Sequence, residues 1–178
     1  MNISIFGTGN MASGSATLSN GPADASLADA ADKAETVVLA VPYEAAGGLD
    51  GKTVIDTINP LTADYSGLTI GHTTSAAEEI KKAAPQAKVV EAFNTVFASV
   101  LQNGGKAAGQ PVSVFVASDD AGARKDVAAL AESAGFRPVE AGGLSAARYL
   151  EPFAGLNISL GYGLGHGTDI TPTWQGIA

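Results

Sequence analysis

Short apolar runs recur along the chain at intervals that suit alternating strands and helices. Ile3–Phe6, Val37–Val41, Thr53–Thr57, Val89–Phe93, Val112–Ala117 and Arg137–Glu140 read as strands. Several are continuously apolar, as expected of parallel strands covered on both faces. Between them Ser26–Ala34, Ser75–Ala84, Asp120–Ala134 and Ser145–Leu156 are Ala-rich with a helical pattern. Ser75 and Glu78 stand at capping-box spacing, and Asp119 or Asp120 can cap the helix that follows. The alternation predicts an α/β fold with a doubly wound, mostly parallel sheet. Ligands of such sheets sit beyond the carboxyl ends of the strands, where strand order reverses. That rule selects Gly7–Ala12, Val41-Pro42-Tyr43, Thr57-Ile58-Asn59-Pro60-Leu61 and Phe93-Asn94-Thr95.

The first strand runs directly into Gly7-Thr8-Gly9-Asn10-Met11-Ala12, a G-x-G-x-x-A turn. Gly7 permits the tight exit from the strand, Gly9 lets a pyrophosphate approach the backbone, and Ala12 lets the next helix pack closely. Backbone N–H groups and the helix dipole then form an anion site without a basic side chain. This marks a Rossmann-type nucleotide-binding unit; the alternative is a turn with a structural role only.

Composition narrows the picture. Of 178 residues, 46% are hydrophobic, which excludes a disordered chain and allows one domain with a substantial core. The expected division is a dinucleotide-binding Rossmann domain over 1–141 and a small C-terminal helix with a Gly-rich tail over 142–178. A net charge of -8 argues against nucleic-acid and anionic-membrane partners. With no Cys there is neither disulfide nor thiolate chemistry. The first strand begins too early for a signal peptide and no apolar run reaches transmembrane length, so a cytoplasmic protein is expected.

Five motifs in order, GTGNMA, VVLAVPYEA, GKTVIDTINPL, EAFNT and AGGLSAARYLEPFA, resemble the NADP oxidoreductases that reduce a deazaflavin, coenzyme F-420. The resemblance covers about residues 1–12 and 36–160. It implies a Rossmann-type domain, a small C-terminal element over the nicotinamide, NADP as cofactor, and direct hydride exchange between NADPH and a second bound redox ring. One region departs. The family has a full first helix, a second strand and a polar or basic turn before the VVLAVP strand. Here only Ser13–Glu35 stands in that place, and Ser13-Gly14-Ser15 and Ser19-Asn20-Gly21-Pro22 are turn formers. Spacing makes Val37–Val41 the second strand; the resemblance makes it the third, with the second reduced or absent. No Lys or Arg occurs from Met1 to Asp32 to meet a ribose 2′-phosphate, while Asp24 and Asp29 fall near the acidic position used for NAD. NADP is the first choice and NAD the alternative.

Hydride transfer asks little of the protein beyond holding two rings close and excluding water. No catalytic side chain is therefore assigned, and with no carboxylates clustered at metal-ligand spacing, no metal is expected. The candidate cofactor-binding residues are Gly7, Thr8, Gly9, Asn10, Met11, Ala12, Val41, Pro42, Tyr43, Asn59, Pro60 and Asn94. Asn59 either reaches the nicotinamide or ribose or simply forms a turn before Pro60. Asn94 and Thr95 either reach the ligand or form a local cap. Pro42 and Tyr43 either wall the cofactor or end a strand. In the tail, Gly161, Gly163, Gly165 and Gly167 interleave with Tyr162, His166 and Trp174. It is read as part of the second ring's pocket, or as a tail or dimer-contact arm. His166 is a proton donor or merely solvated, and His72 a surface or capping residue. Arg148 and Glu151 have i, i+3 spacing for an ion pair, or Arg148 points into the cleft. The expectation is an NAD(P)-binding oxidoreductase, a homodimer, passing hydride between NADPH and a deazaflavin, a flavin or a small organic substrate. The alternative is a dinucleotide-binding sensor or partner module without turnover. A β-hydroxyacid or 6-phosphogluconate-type dehydrogenase would need a helical domain for which no room remains.

Overall fold

The computed structural model describes residues 2–7, 9–19, 26–41, 48–174 and 176–177. Thr8, Asp24, Pro42 and Tyr43 lie outside them. In chain order the elements are β1 (Ile3–Phe6), α1 (Asn10–Ser19), α2 (Leu27–Lys33), β2 (Thr36–Leu39), β3 (Thr53–Asp56), α3 (Ala76–Ala83) and β4 (Lys88–Glu91). There follow α4 (Ala98–Gln102), the short strands β5 (Lys106–Ala107) and β6 (Gln110–Pro111), β7 (Ser113–Ala117), α5 (Ala121–Ser133), β8 (Arg137–Gly142) and α6 (Ala147–Ile158).

Six strands form one sheet in the order β1-β2-β3-β4-β7-β8. The first four are parallel; β7 is antiparallel to β4, and β8 is parallel to β7. Each central strand alternates between two cores, as its period of two requires. Ile5, Val38, Ile55 and Val90 face α1, α4 and α5 on one side. Val37, Leu39, Val54 and Val89 face α2, α3 and the start of α6 on the other. The fold is thus a Rossmann-like α/β sheet covered on both faces. Strand order follows chain order, so β1 is an edge of the described sheet, and the described residues contain no strand between Phe6 and Thr36.

Several local readings change; α4 was absent from the apolar pattern, and strand ends shift by one or two residues. Ser13-Gly14-Ser15 lies inside α1, not in a turn. The reason is packing: a Cβ on Gly14 would stand 3.1 Å from the Ala98 carbonyl oxygen and 3.3 Å from Leu101 Cβ. Glycine there costs helix propensity but lets α1 lie against α4. The hairpin β5–β6, absent from the apolar pattern, turns on Ala108 and Gly109, with φ of 47° and 75°. The capping assignments divide cleanly. Ser75 accepts from the Glu78 amide and Asp120 from the Ala123 amide, while Asp119 accepts from the Leu144 amide.

Candidate functional site

At the end of β1 the chain leaves the strand through Gly7, with φ of 144°. A Cβ there would lie 2.7 Å from the Ala40 carbonyl oxygen and 3.1 Å from Ala12 Cβ. Gly7 and Ala12 are small because α1 is pressed against β1 and the end of β2. Gly9 differs. It is exposed, and a Cβ on it would meet nothing within 4 Å. Its carbonyl accepts from the Ser13 amide at 3.0 Å, which makes Gly9 the N-cap of α1. Gly7 and Ala12 are thus close-packed and Gly9 is open, with Thr8 between the two glycines outside the described residues.

Two cavities adjoin it along the carboxyl ends of β2, β3 and β4, and they share Met11, Thr57, Asn59 and Ile158. The larger, about 480 Å³, is walled by Ala40, Val41, Ile58, Pro60, Leu61 and Tyr65. The smaller, about 130 Å³, is lined by Asn10, Asn94, Thr95, Phe97, Asn157 and Tyr162. Asn59 and Asn94 lock together: the Asn59 amide donates to the Asn94 carbonyl at 2.8 Å, and the Asn94 amide donates to Asn59 Oδ1 at 3.1 Å. From α6, Asn157 donates to the Thr95 carbonyl at 3.1 Å. Phe93, buried and at φ of 64°, makes the sharp turn that carries Asn94 and Thr95 to the cleft. Asn94 Oδ1 and Thr95 Oγ1 remain buried without a partner among the described residues. Asn59 is thus neither a plain turn former nor a free donor; it holds Asn94 in place.

The structure brings Asn10, Met11, Val41, Asn59, Pro60 and Asn94 together around these cavities. The tail divides. Tyr162 lines the smaller cavity and meets Phe97 edge-on at 5.5 Å, whereas Trp174 packs against Phe115 and Phe153 on another part of the molecule. His72 and His166 are exposed.

The Arg148–Glu151 ion pair does not form. Arg148 grips Glu78 at 2.8 and 2.6 Å, which holds the Glu78 carboxyl below its ordinary range. Glu151 points inward, and its Oε1 accepts from the Ala77 amide at 3.3 Å. It joins Asp56 and Glu91 in a carboxyl cluster that the sequence did not reveal, correcting the expectation of none. Strand register makes the pair: Asp56 lies opposite Glu91, on the face of Val54 and Val89. One oxygen from each of the three residues lies within 4.8 Å of the others. Burial raises all three, Asp56 to about 7 and Glu151 to about 8, with Glu91 well above its ordinary value and further lifted by its acidic neighbours. No helix among the described residues is long and apolar enough to cross a membrane.

No family model matches the chain. Among solved structures, one from Arthrobacter sp. FB24 described as a "putative F-420 dependent NADP-reductase" is 30% identical, with a TM-score of 0.82, covering 98% of this chain and 99% of that one. A hypothetical protein from Sinorhizobium meliloti is 27% identical, with a TM-score of 0.67, covering 83% of this chain and 88% of the other. Among curated proteins, metalloreductase STEAP3 of Rattus norvegicus is 32% identical over 103 residues, 58% of this chain. The chain spans about a fifth of that metalloreductase's length, 20%.

Proposed function

Because the chain belongs to the oxidoreductase family of the F-420-dependent NADP reductases, we propose that it binds NADP at the Gly7–Ala12 corner and passes hydride to a flat redox acceptor. The observation that carries this is the form of the cleft. It has an open Gly9 corner at one end and two tyrosines, Tyr65 and Tyr162, 70% and 66% exposed, at its mouths. The residues present fit the cofactor. Main-chain amides of the first turn of α1 lack intrahelical acceptors and suit a diphosphate. The orphan acceptors Asn94 Oδ1 and Thr95 Oγ1 suit a carboxamide that brings its own N–H groups. When bound, the nicotinamide supplies the hydride.

The chain's own residues hold and shield it. Met11, Val41 and Ile158 give the cleft apolar walls that exclude water. Asn59 fixes Asn94, and Asn157 fixes the Thr95 backbone. The tyrosine faces offer stacking surfaces for a deazaflavin or flavin. The homodimer reading is supported by Tyr149 and Leu156 of α6, both largely exposed apolar side chains.

The test is to measure NADPH and NADH binding by calorimetry, then NADPH oxidation with deazaflavin, flavin and ferric acceptors. Saturable binding with turnover on one of them is expected. Tight binding without turnover on any would make the chain a sensor or partner module, a reading favoured by the lack of a strand between Phe6 and Thr36 among the described residues. Absence of binding would remove the site assignment.

A further inference from the structure

A carboxyl cluster lies beneath the cleft. Asp56, Glu91 and Glu151 are each 0% exposed. Asp56 Oδ1 is satisfied by the Ile58 amide at 2.9 Å and Glu151 Oε1 by that of Ala77. Four oxygens are left over: Asp56 Oδ2, both of Glu91 and Glu151 Oε2 meet no donor among the described residues. Glu91 is the separate sign of a ligand. A wholly buried side chain with neither oxygen bonded, directed at two further carboxyls, has no positive partner among the described residues. Arg148, on the same helix as Glu151, is engaged by Glu78 instead.

We propose that Asp56, Glu91 and Glu151 form a buried binding site for one hard divalent cation, calcium or manganese. Three oxygens within 4.8 Å of one another leave a point no more than about 2.8 Å from each of them, which puts calcium–oxygen bonds of roughly 2.3–2.6 Å within reach. The ligands are all carboxylate oxygens, the choice of hard cations, and soft ligands are absent from the set. Magnesium demands near-ideal octahedral geometry at about 2.0–2.1 Å, whereas calcium accepts irregular sets of oxygens. The ion would tie β3, β4 and α6 together. Those elements carry Thr57 and Asn59, Asn94 and Thr95, and Asn157 and Ile158 to the cleft, so the cation braces the floor of the site. This inference does not rest on the dinucleotide reading, because it is tested without cofactor.

The full chain is purified without chelator for elemental analysis, then stripped and melted with calcium, manganese or magnesium at millimolar concentration. One calcium or manganese per chain is expected, with a melting temperature raised by roughly 5 °C or more on re-addition and a smaller response to magnesium. Glu91→Lys carries an ammonium into the cluster; it should retain no ion and lose the thermal response while still unfolding cooperatively. If that variant fails to fold, Glu151→Gln serves in the same assay and should show the same loss. No retained ion and no thermal response in the wild type would overturn the site, leaving protons to neutralise the cluster. Equal binding by the wild type and the folded variant would overturn it too, by placing the ion elsewhere.

Discussion

The two glycines of the first turn should fail in opposite ways when enlarged. Gly9→Val places its side chain in open space, since a Cβ there has no neighbour within 4 Å. The fold loses only the difference between Gly and a non-capping residue at the helix N-cap, about 1 kcal/mol or less. For a chain of this size that is about 2–4 °C in melting temperature. Binding is another matter, because the new side chain occupies the volume through which a diphosphate reaches the first amides of α1. Losing two hydrogen bonds to a charged group at about 1.5–3 kcal/mol each weakens NADPH roughly 100-fold to 10,000-fold. Gly7→Ala does the reverse. Its Cβ would press within 2.7 Å of a backbone oxygen at a φ of 144°, so several kcal/mol of stability are lost before binding is considered. Calorimetric titration with NADPH, paired with thermal melts of both variants, separates the two effects. Affinity in Gly9→Val within threefold of the wild type would refute the diphosphate assignment, and a wild-type melt for Gly7→Ala would refute the packing argument.

Asn94→Ala removes an acceptor from the cleft and leaves Asn59 Oδ1 without its 3.1 Å donor. It should weaken NADPH about tenfold and cost about 1–2 kcal/mol of stability; a variant matching the wild type in both titration and melt counts against the role. Arg148→Ala breaks a pair whose side chains are 38% and 19% exposed, so solvent screening keeps its cost small. Because the pair lowers the Glu78 pKa from 4.5, that stability is present above 4.5 and disappears as the pH falls through the folded value. Melts across acidic pH should show the gap between wild type and variant closing, and a gap that widens instead would be decisive against the pairing. With no Lys or Arg before Lys33, NADPH and NADH should differ by less than about tenfold in affinity; a hundredfold preference for NADPH would reveal a phosphate site elsewhere.

What the sequence disclosed follows from what burial imposes on it. Strands covered on both faces are rich in apolar residues, which made β2, β3, β4 and β7 visible, and the edge strand β1 kept its predicted bounds. Bounds moved in both directions: β8, read as Arg137–Glu140, continues to Gly142. Val89–Phe93 was read two residues too far because Ala92 and Phe93 are buried in the turn that leaves β4, with Phe93 at φ of 64°. The glycine corner was legible because its requirements are local: two small residues and an N-cap within six positions. Asn59 and Asn94 were legible as candidates, but not their mutual hydrogen bonds, which join loops 35 residues apart.

The carboxyl cluster was hidden for a deeper reason. Asp56 and Glu91 each follow two apolar residues that point to opposite faces, and neither strand read alone says that the two acids meet. Only register decides that. Pairing Val54 with Val89 sets Asp56 beside Glu91 under α6, whereas a slip of one residue would send the acids of the two strands to opposite faces. Like charges side by side on neighbouring strands oppose that register, yet it is the one that buries Val54, Ile55, Val89 and Val90. The apolar pattern therefore holds in place an arrangement its charges resist, and the proposed cation between the strands offsets that repulsion.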